Sequence, residues 1–128
     1  LAAKKAGNDL YRSKKFPEAI AKYEEAIALD PTNPNFVNNI AAVLFQTKEY
    51  DACIAKCREA LEVCKKVRAD FKIVAKSWAR IGQAHMKLAQ LDEAEEAFNK
   101  SLLEDHTHKI KMALQKCQAE QKKKAELE

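Results

Sequence analysis

Residues 6–31 read AGNDLYRSKKFPEAIAKYEEAIALDP, and residues 40–63 read IAAVLFQTKEYDACIAKCREALEV. Displaced by 34 positions, the first stretch falls on the second. Gly7 meets Ala41, Phe16 meets Tyr50, Ala19 meets Cys53, Tyr23 meets Cys57 and Ala26 meets Ala60. A third copy, IGQAHMKLAQLDEAEEAFNKSL (81–102), puts Gly82, Leu91, Ala94 and Phe98 in the same places. Its offset from the second copy is 41, so seven residues are inserted ahead of it. Similarity at a fixed period of this length marks stacked units, each too small to bury its apolar face alone.

Each copy reads as two amphipathic helices. In the first, Phe16, Ala19, Ile20, Tyr23, Ala26 and Ile27 recur at helical spacing. Pro17 suits a first helical turn, and LDPTNP (29–34) supplies two prolines and cap-type residues where a helix should end and another begin. The pattern predicts helices at roughly 2–14, 17–29, 34–47, 50–68, 71–89 and 92–104, with a seventh over about 107–126. That last helix carries Ile110, Ala113, Leu114 and Cys117 and then turns polar, as the cap of a stacked array must. Its KKK run reads as a solvated face.

Gly7 and Asn8 stand together inside the first helix, where both residue types are poor choices. A glycine there is explained if two helices of a repeat must approach closely. Asn8 needs a different reason.

The 128 residues suffice for one domain, and only two glycines and three prolines among 33% charged residues indicate an all-α chain. No stretch is long and apolar enough to span a bilayer, so no membrane partner is expected. Four cysteines without a CxxC pair read as a reduced, intracellular protein. The first residue is Leu, so the chain is expected to be a piece of a longer protein. Net charge is a mild +4, but its distribution is uneven. The first helices of the three copies, with their flanks (1–15, 32–48 and 71–90), hold ten bases and one acid, Asp9; the remainder holds 13 bases and 18 acids. Lys72, Lys76 and Arg80 repeat every four residues on one helix face with no acid to relieve them.

The 34-residue period, the small residues at Gly7, Ala41 and Gly82 and at Ala19, Cys53 and Ala94, Trp78, and the closing Pro31 resemble the tetratricopeptide repeat. The resemblance implies a right-handed α-α superhelix of three helix pairs plus a C-terminal capping helix. Repeats would lie at about 1–33, 34–68 and 75–106, with the cap over about 107–126, in a single domain spanning 1–128. First helices line the inner face of such domains, so a basic groove is implied, one that focuses field on an anionic ligand.

Within that family, carboxylate-clamp domains carry K-x-x-x-N in repeat one, N in repeat two and K-x-x-x-R in repeat three. Lys4, Asn8, Asn39, Lys76 and Arg80 match all five positions. The resemblance implies that these residues hold the two carboxylates of a C-terminal Asp in an EEVD tail. The seven-residue insertion, with GNDLY, LDPTN, AKSWARIG and FNKSL, is similar to the middle, heat-shock-protein-90-binding domain of the Hop/Sti co-chaperones. It implies the heat-shock protein 90 tail MEEVD as partner, with the heat-shock protein 70 EEVD tail as the other candidate, in the cytoplasm. By the same analogy Tyr11, Ala42, Gln46 and Gln83 surround the residue ahead of EEVD. Gln46 and Gln83 depart from the acid and the Asn expected there. A clamp domain belonging to a prolyl isomerase, phosphatase or ubiquitin ligase is the alternative.

Other chemistries fare worse. Cys53 and Cys57 occupy core places of the repeat, so packing is expected rather than zinc, and no metal or cofactor is expected at all. His106 and His108 fall at a helix junction. No phosphate loop, nucleophile elbow or HExxH motif occurs, so no catalytic residue is assigned and the chain is not expected to be an enzyme. Aromatic residues for stacking bases are sparse on the basic face, so no nucleic-acid partner is expected.

Overall fold

Seven α-helices follow one another through residues 2–127, the residues that the computed structural model describes, and no strand occurs among them. They are α1 (Ala2–Arg12), α2 (Phe16–Leu29), α3 (Pro34–Gln46), α4 (Tyr50–Val67), α5 (Phe71–Lys87), α6 (Leu91–Glu104) and α7 (His108–Leu127). The all-α class and the three helix pairs followed by a seventh helix agree with the sequence pattern.

The first helix of each pair stops one or two residues short of the sequence expectation, and the reason is local. Lys14, Lys48 and Ala89 adopt positive φ of 61°, 65° and 58°. Each residue that follows donates its backbone N–H across the turn to a carbonyl five residues back: Lys15 to Leu10, Glu49 to Leu44 and Gln90 to His85. This is the left-handed closure that usually takes glycine at a helix C-terminus. Here lysine and alanine occupy it, so the composition gave no stop signal. Arg68, with φ 52°, closes α4 in the same way. Helix starts are better marked. Asn33 accepts from the Asn35 N–H ahead of Pro34, and Asp70 accepts from the Lys72 N–H at 2.7 Å.

The seven inserted residues are taken up by helix rather than loop. α4 has 18 residues against 14 in α2, and α5 has 17 against 13 in α3. The connection over 68–70 is one residue shorter than its counterpart over 30–33. Lys72 stands in the turn thus added to α5.

The chain forms two units, one ending at Ala69 and one beginning at Asp70. In the first, α1 packs on α2, α2 on α3 and α3 on α4. Lying between two partners, α3 buries Phe36, Val37, Ile40, Ala41, Val43 and Leu44 around most of its circumference, whereas terminal α1 buries only Gly7. Edge-on ring pairs repeat with the period: Tyr11–Phe16 at 5.9 Å and Phe45–Tyr50 at 5.4 Å. In the second unit, α5 packs on α6 and α6 on α7 around Ala79, Ala94, Phe98, Ile110 and Cys117. Ser101 Oγ donates to the Ala75 carbonyl at 2.8 Å, and the Lys100 ammonium lies 4.5 Å from the Trp78 ring centre. α7 is held on α6 by Cys117 Sγ donating to the Leu91 carbonyl and by Gln118 and Gln121 donating to Glu95 and Asp92.

Both glycines sit where two helices of a pair touch. A Cβ on Gly7 would stand 2.7 Å from Tyr23 Cε1, and one on Gly82 would stand 2.5 Å from Phe98 Cε1. Contacts that short do not occur between real carbons, so the aromatic rings can seat only against bare backbone. In the second pair the small place is Ala41 and the aromatic place is Cys57, both fully buried. A smaller side chain opposite leaves room for a methyl group.

Candidate functional site

The first unit carries a cleft of about 510 Å³ between α1, α2 and α3. Asn8, Tyr11, Asn39 and Gln46 line it together, joined by Arg12, Lys14, Phe16 and Tyr23. Asn8 and Asn39 are each half-buried, so their amides reach the cleft from packed helices. Lys4 lies one turn ahead of Asn8 on α1, exposed and outside the residues that form the cleft wall. Ala42, half-buried on α3, is likewise outside it. Arg12 pairs with Asp9 on the exposed side of α1.

The second unit carries a smaller cleft of about 240 Å³. Lys72, Lys76, Arg80 and Gln83 line it from α5, Lys109 from α7, and Asp105 from the turn after α6. Four cations therefore face one carboxylate. Among the described residues none of the four takes part in an ion pair. Arg80 is half-buried, whereas the three lysines are exposed. Arg80 occupies the same place in its repeat as Asn39, and Gln83 the same place as Asn8 and Ala42.

The chemistry available in the two clefts is that of binding. A guanidinium fork takes a carboxylate through two parallel hydrogen bonds, ammonium groups add charge-assisted bonds, and amides add directional donors without charge. Burial holds the Cys64 thiol above its ordinary value, and burial with Glu95 and Asp92 does the same for Cys117, so both stay protonated packing groups. Cys53 and Cys57 are fully buried in their core places. Among the described residues no group of three His, Cys, Asp or Glu side chains is placed to hold a metal ion, and no helix is long and apolar enough to cross a membrane. His106, in the turn after α6, and His108, the first residue of α7, are both exposed.

Two features escaped the sequence reading. Lys109 reaches the second cleft from a helix whose pattern marked it only as a cap. The Tyr23 hydroxyl donates to Asn8 Oδ1 at 2.6 Å. The available signal was a tyrosine, whose hydroxyl needs a partner when buried, at a repeat place that phenylalanine also fills.

The model of the tetratricopeptide repeat matches residues 35–102, and a second repeat model matches residues 7–48. The chain belongs to the tetratricopeptide repeat family. Among its relatives is the stress-induced-phosphoprotein 1 of Caenorhabditis elegans, 42% identical over 81% of this chain and 32% of that protein. The structure of the N-terminal domain of stress-induced protein-1 from C. elegans is 38% identical, with a TM-score of 0.85 over 91% of this chain and 92% of that one. The yeast Sti1 TPR2AB domain, solved as a complex with an HSP90 peptide, superposes with a TM-score of 0.94 at 36% identity, over 97% of this chain and 48% of that one. This tetratricopeptide chain spans between about a fifth and a third of the length of such curated relatives.

Proposed function

We propose that the chain is a co-chaperone docking module that holds the C-terminal EEVD tail of heat-shock protein 90. Lys4, Asn8, Asn39, Lys76 and Arg80 are the clamp for the two carboxylates of the terminal Asp. The observation that carries the reading is the similarity, across nearly the whole chain, to a Sti1 domain solved with an HSP90 peptide. The clefts add physical support. Asn8 and Asn39 share one, Lys76 and Arg80 share the other, and the four cations there outnumber the single carboxylate, Asp105, and form no ion pair among the described residues. A hydrogen bond to a charged partner contributes about 1.5–3 kcal/mol. A few of them, less the cost of immobilising a short peptide, suit a reversible complex.

Residues 1–128 act in this reading as one domain of three repeats and a cap, inside a longer co-chaperone. The chain binds and does no chemistry, and we read the protein as cytoplasmic because its ligand is the tail of a cytosolic chaperone. Tyr11, Ala42, Gln46 and Gln83 surround the residue ahead of EEVD and set the preference between the two chaperone tails.

Calorimetry with a peptide ending in MEEVD, free and C-terminally amidated, tests the proposal. Amidation removes one of the two clamped carboxylates and should weaken binding at least about tenfold. Equal affinity for both peptides overturns it. Titrating the heat-shock protein 70 tail, which differs ahead of EEVD, measures the selectivity.

A further inference from the structure

The structure assigns a positioning role to Tyr23: its buried hydroxyl fixes the amide of Asn8 so that Nδ2, not Oδ1, faces the ligand. The inference rests on the clamp reading above and concerns how one of its members is aimed.

An asparagine amide presents a donor on one side and an acceptor on the other. Toward a carboxylate the two are opposite in effect, since Nδ2–H attracts the anion and Oδ1 repels it. A cleft that takes an anion must therefore control which side faces it. Tyr23 is 1% exposed, and its hydroxyl lies 2.6 Å from Asn8 Oδ1. Had the amide turned over, Nδ2 would donate to the tyrosine oxygen and the hydroxyl proton would lose its acceptor in a buried place. Leaving a buried donor unsatisfied is costly, which selects the orientation seen. Burial and the neighbouring Tyr11 also hold the Tyr23 hydroxyl above its ordinary ionisation range, outweighing Arg12, so it remains a donor.

Gly7 completes the arrangement. The Tyr23 ring seats against the backbone of residue 7 because no Cβ is present there, and that seat brings the hydroxyl to the next residue, Asn8. The other repeats are consistent. Cys57 and Phe98 fill the equivalent aromatic place without a hydroxyl, and the residues equivalent to Asn8 are Ala42 and Gln83. Tyrosine appears in the repeat whose clamp member is an asparagine at this place.

The test is calorimetric titration of a peptide ending in MEEVD into wild type, Tyr23→Phe, Asn8→Ala and the double variant, with melting temperatures measured alongside. Tyr23→Phe is expected to weaken binding about fivefold to tenfold, and to have no further effect once Asn8 is alanine. Wild-type affinity in Tyr23→Phe, or an equal loss with and without Asn8, overturns the inference and leaves the clamp standing. Wild-type affinity in Asn8→Ala removes Asn8 from the clamp and the inference with it. Asn8→Asp guards against a Tyr23→Phe variant that fails to fold. It keeps an acceptor for the Tyr23 hydroxyl but presents no donor, so it should fold and lose binding by more than tenfold. Retained binding there would show that an aimed donor is not what the site needs.

Discussion

Replacing Gly82 by alanine probes the packing on which the helix pairs depend. The added Cβ would lie 2.5 Å from Phe98 Cε1 and 2.6 Å from Cδ1. Ordinary carbon contacts are about 3.5–4.0 Å, so the overlap is about 1 Å. Phe98 cannot retreat easily, because it is 1% exposed and packed with Ala79, Ala94, Ile110 and Cys117. Either the ring leaves its rotamer or α5 and α6 move apart. Overpacking of this kind costs about 1–3 kcal/mol. Alanine's better helix propensity returns about 1 kcal/mol. The net loss should be up to about 2 kcal/mol and centred near 1, or a fall in melting temperature of about 3–5 °C per kcal/mol for a chain of this size. Thermal and urea unfolding followed by circular dichroism read it. In a Phe98→Leu background, which removes the clashing ring edge, the same glycine replacement should lose most of its effect. A Gly82→Ala that stabilises the wild-type background by about 1 kcal/mol would refute the steric argument, because propensity alone would then account for it.

Other outcomes follow from the same geometry. Ala89→Gly should stabilise by about 0.5–1 kcal/mol, opposite in sign to Ala→Gly inside a helix, because it relieves the left-handed φ of 58°; urea midpoints measure it. Peptide affinity should fall steadily as salt is raised from about 50 to 500 mM, since the lysines of the second cleft are exposed and screened. Because Tyr23 is harder to ionise folded than unfolded, its contribution is present below the ordinary tyrosine value of about 10 and lost as pH rises through it and beyond. Tyr23→Phe should therefore lose less stability between about pH 9.5 and 11.5 than wild type does, as followed by denaturant midpoints across that range.

The helix pairs could be read from the chain because apolar spacing and the period reinforce one another. Phe16, Ala19, Tyr23 and Ala26 state a helix face once, and their counterparts 34 residues later state it again. Ends were harder. Lys14, Lys48 and Ala89 take a backbone shape that their side chains do not advertise, and only the hydrogen bonds across the turn reveal it. The insertion was visible as a number, and the helices expected over 50–68 and 71–89 already divided it between α4 and α5, whose starts at Tyr50 and Phe71 agree. At the site, Asn8, Asn39, Lys76 and Arg80 do line the clefts of their own units, whereas Lys4 and Ala42 fall outside the cleft walls. Which residue lines a wall depends on helix crossing angles that spacing does not encode. Lys109 and the Tyr23 hydroxyl belong to the same class: each acts across a helix boundary, and nothing in its own helix points to the partner.

The proposal with most at stake is that Asn8 and Arg80 both serve the clamp for the terminal Asp. Calorimetric titration of a peptide ending in MEEVD into wild type, Asn8→Ala and Arg80→Ala tests it most directly. The account predicts one peptide per chain, at least about tenfold weaker binding in each variant, and an unchanged melting temperature in Arg80→Ala. Two independent peptides per chain, or wild-type affinity in either variant, would contradict it.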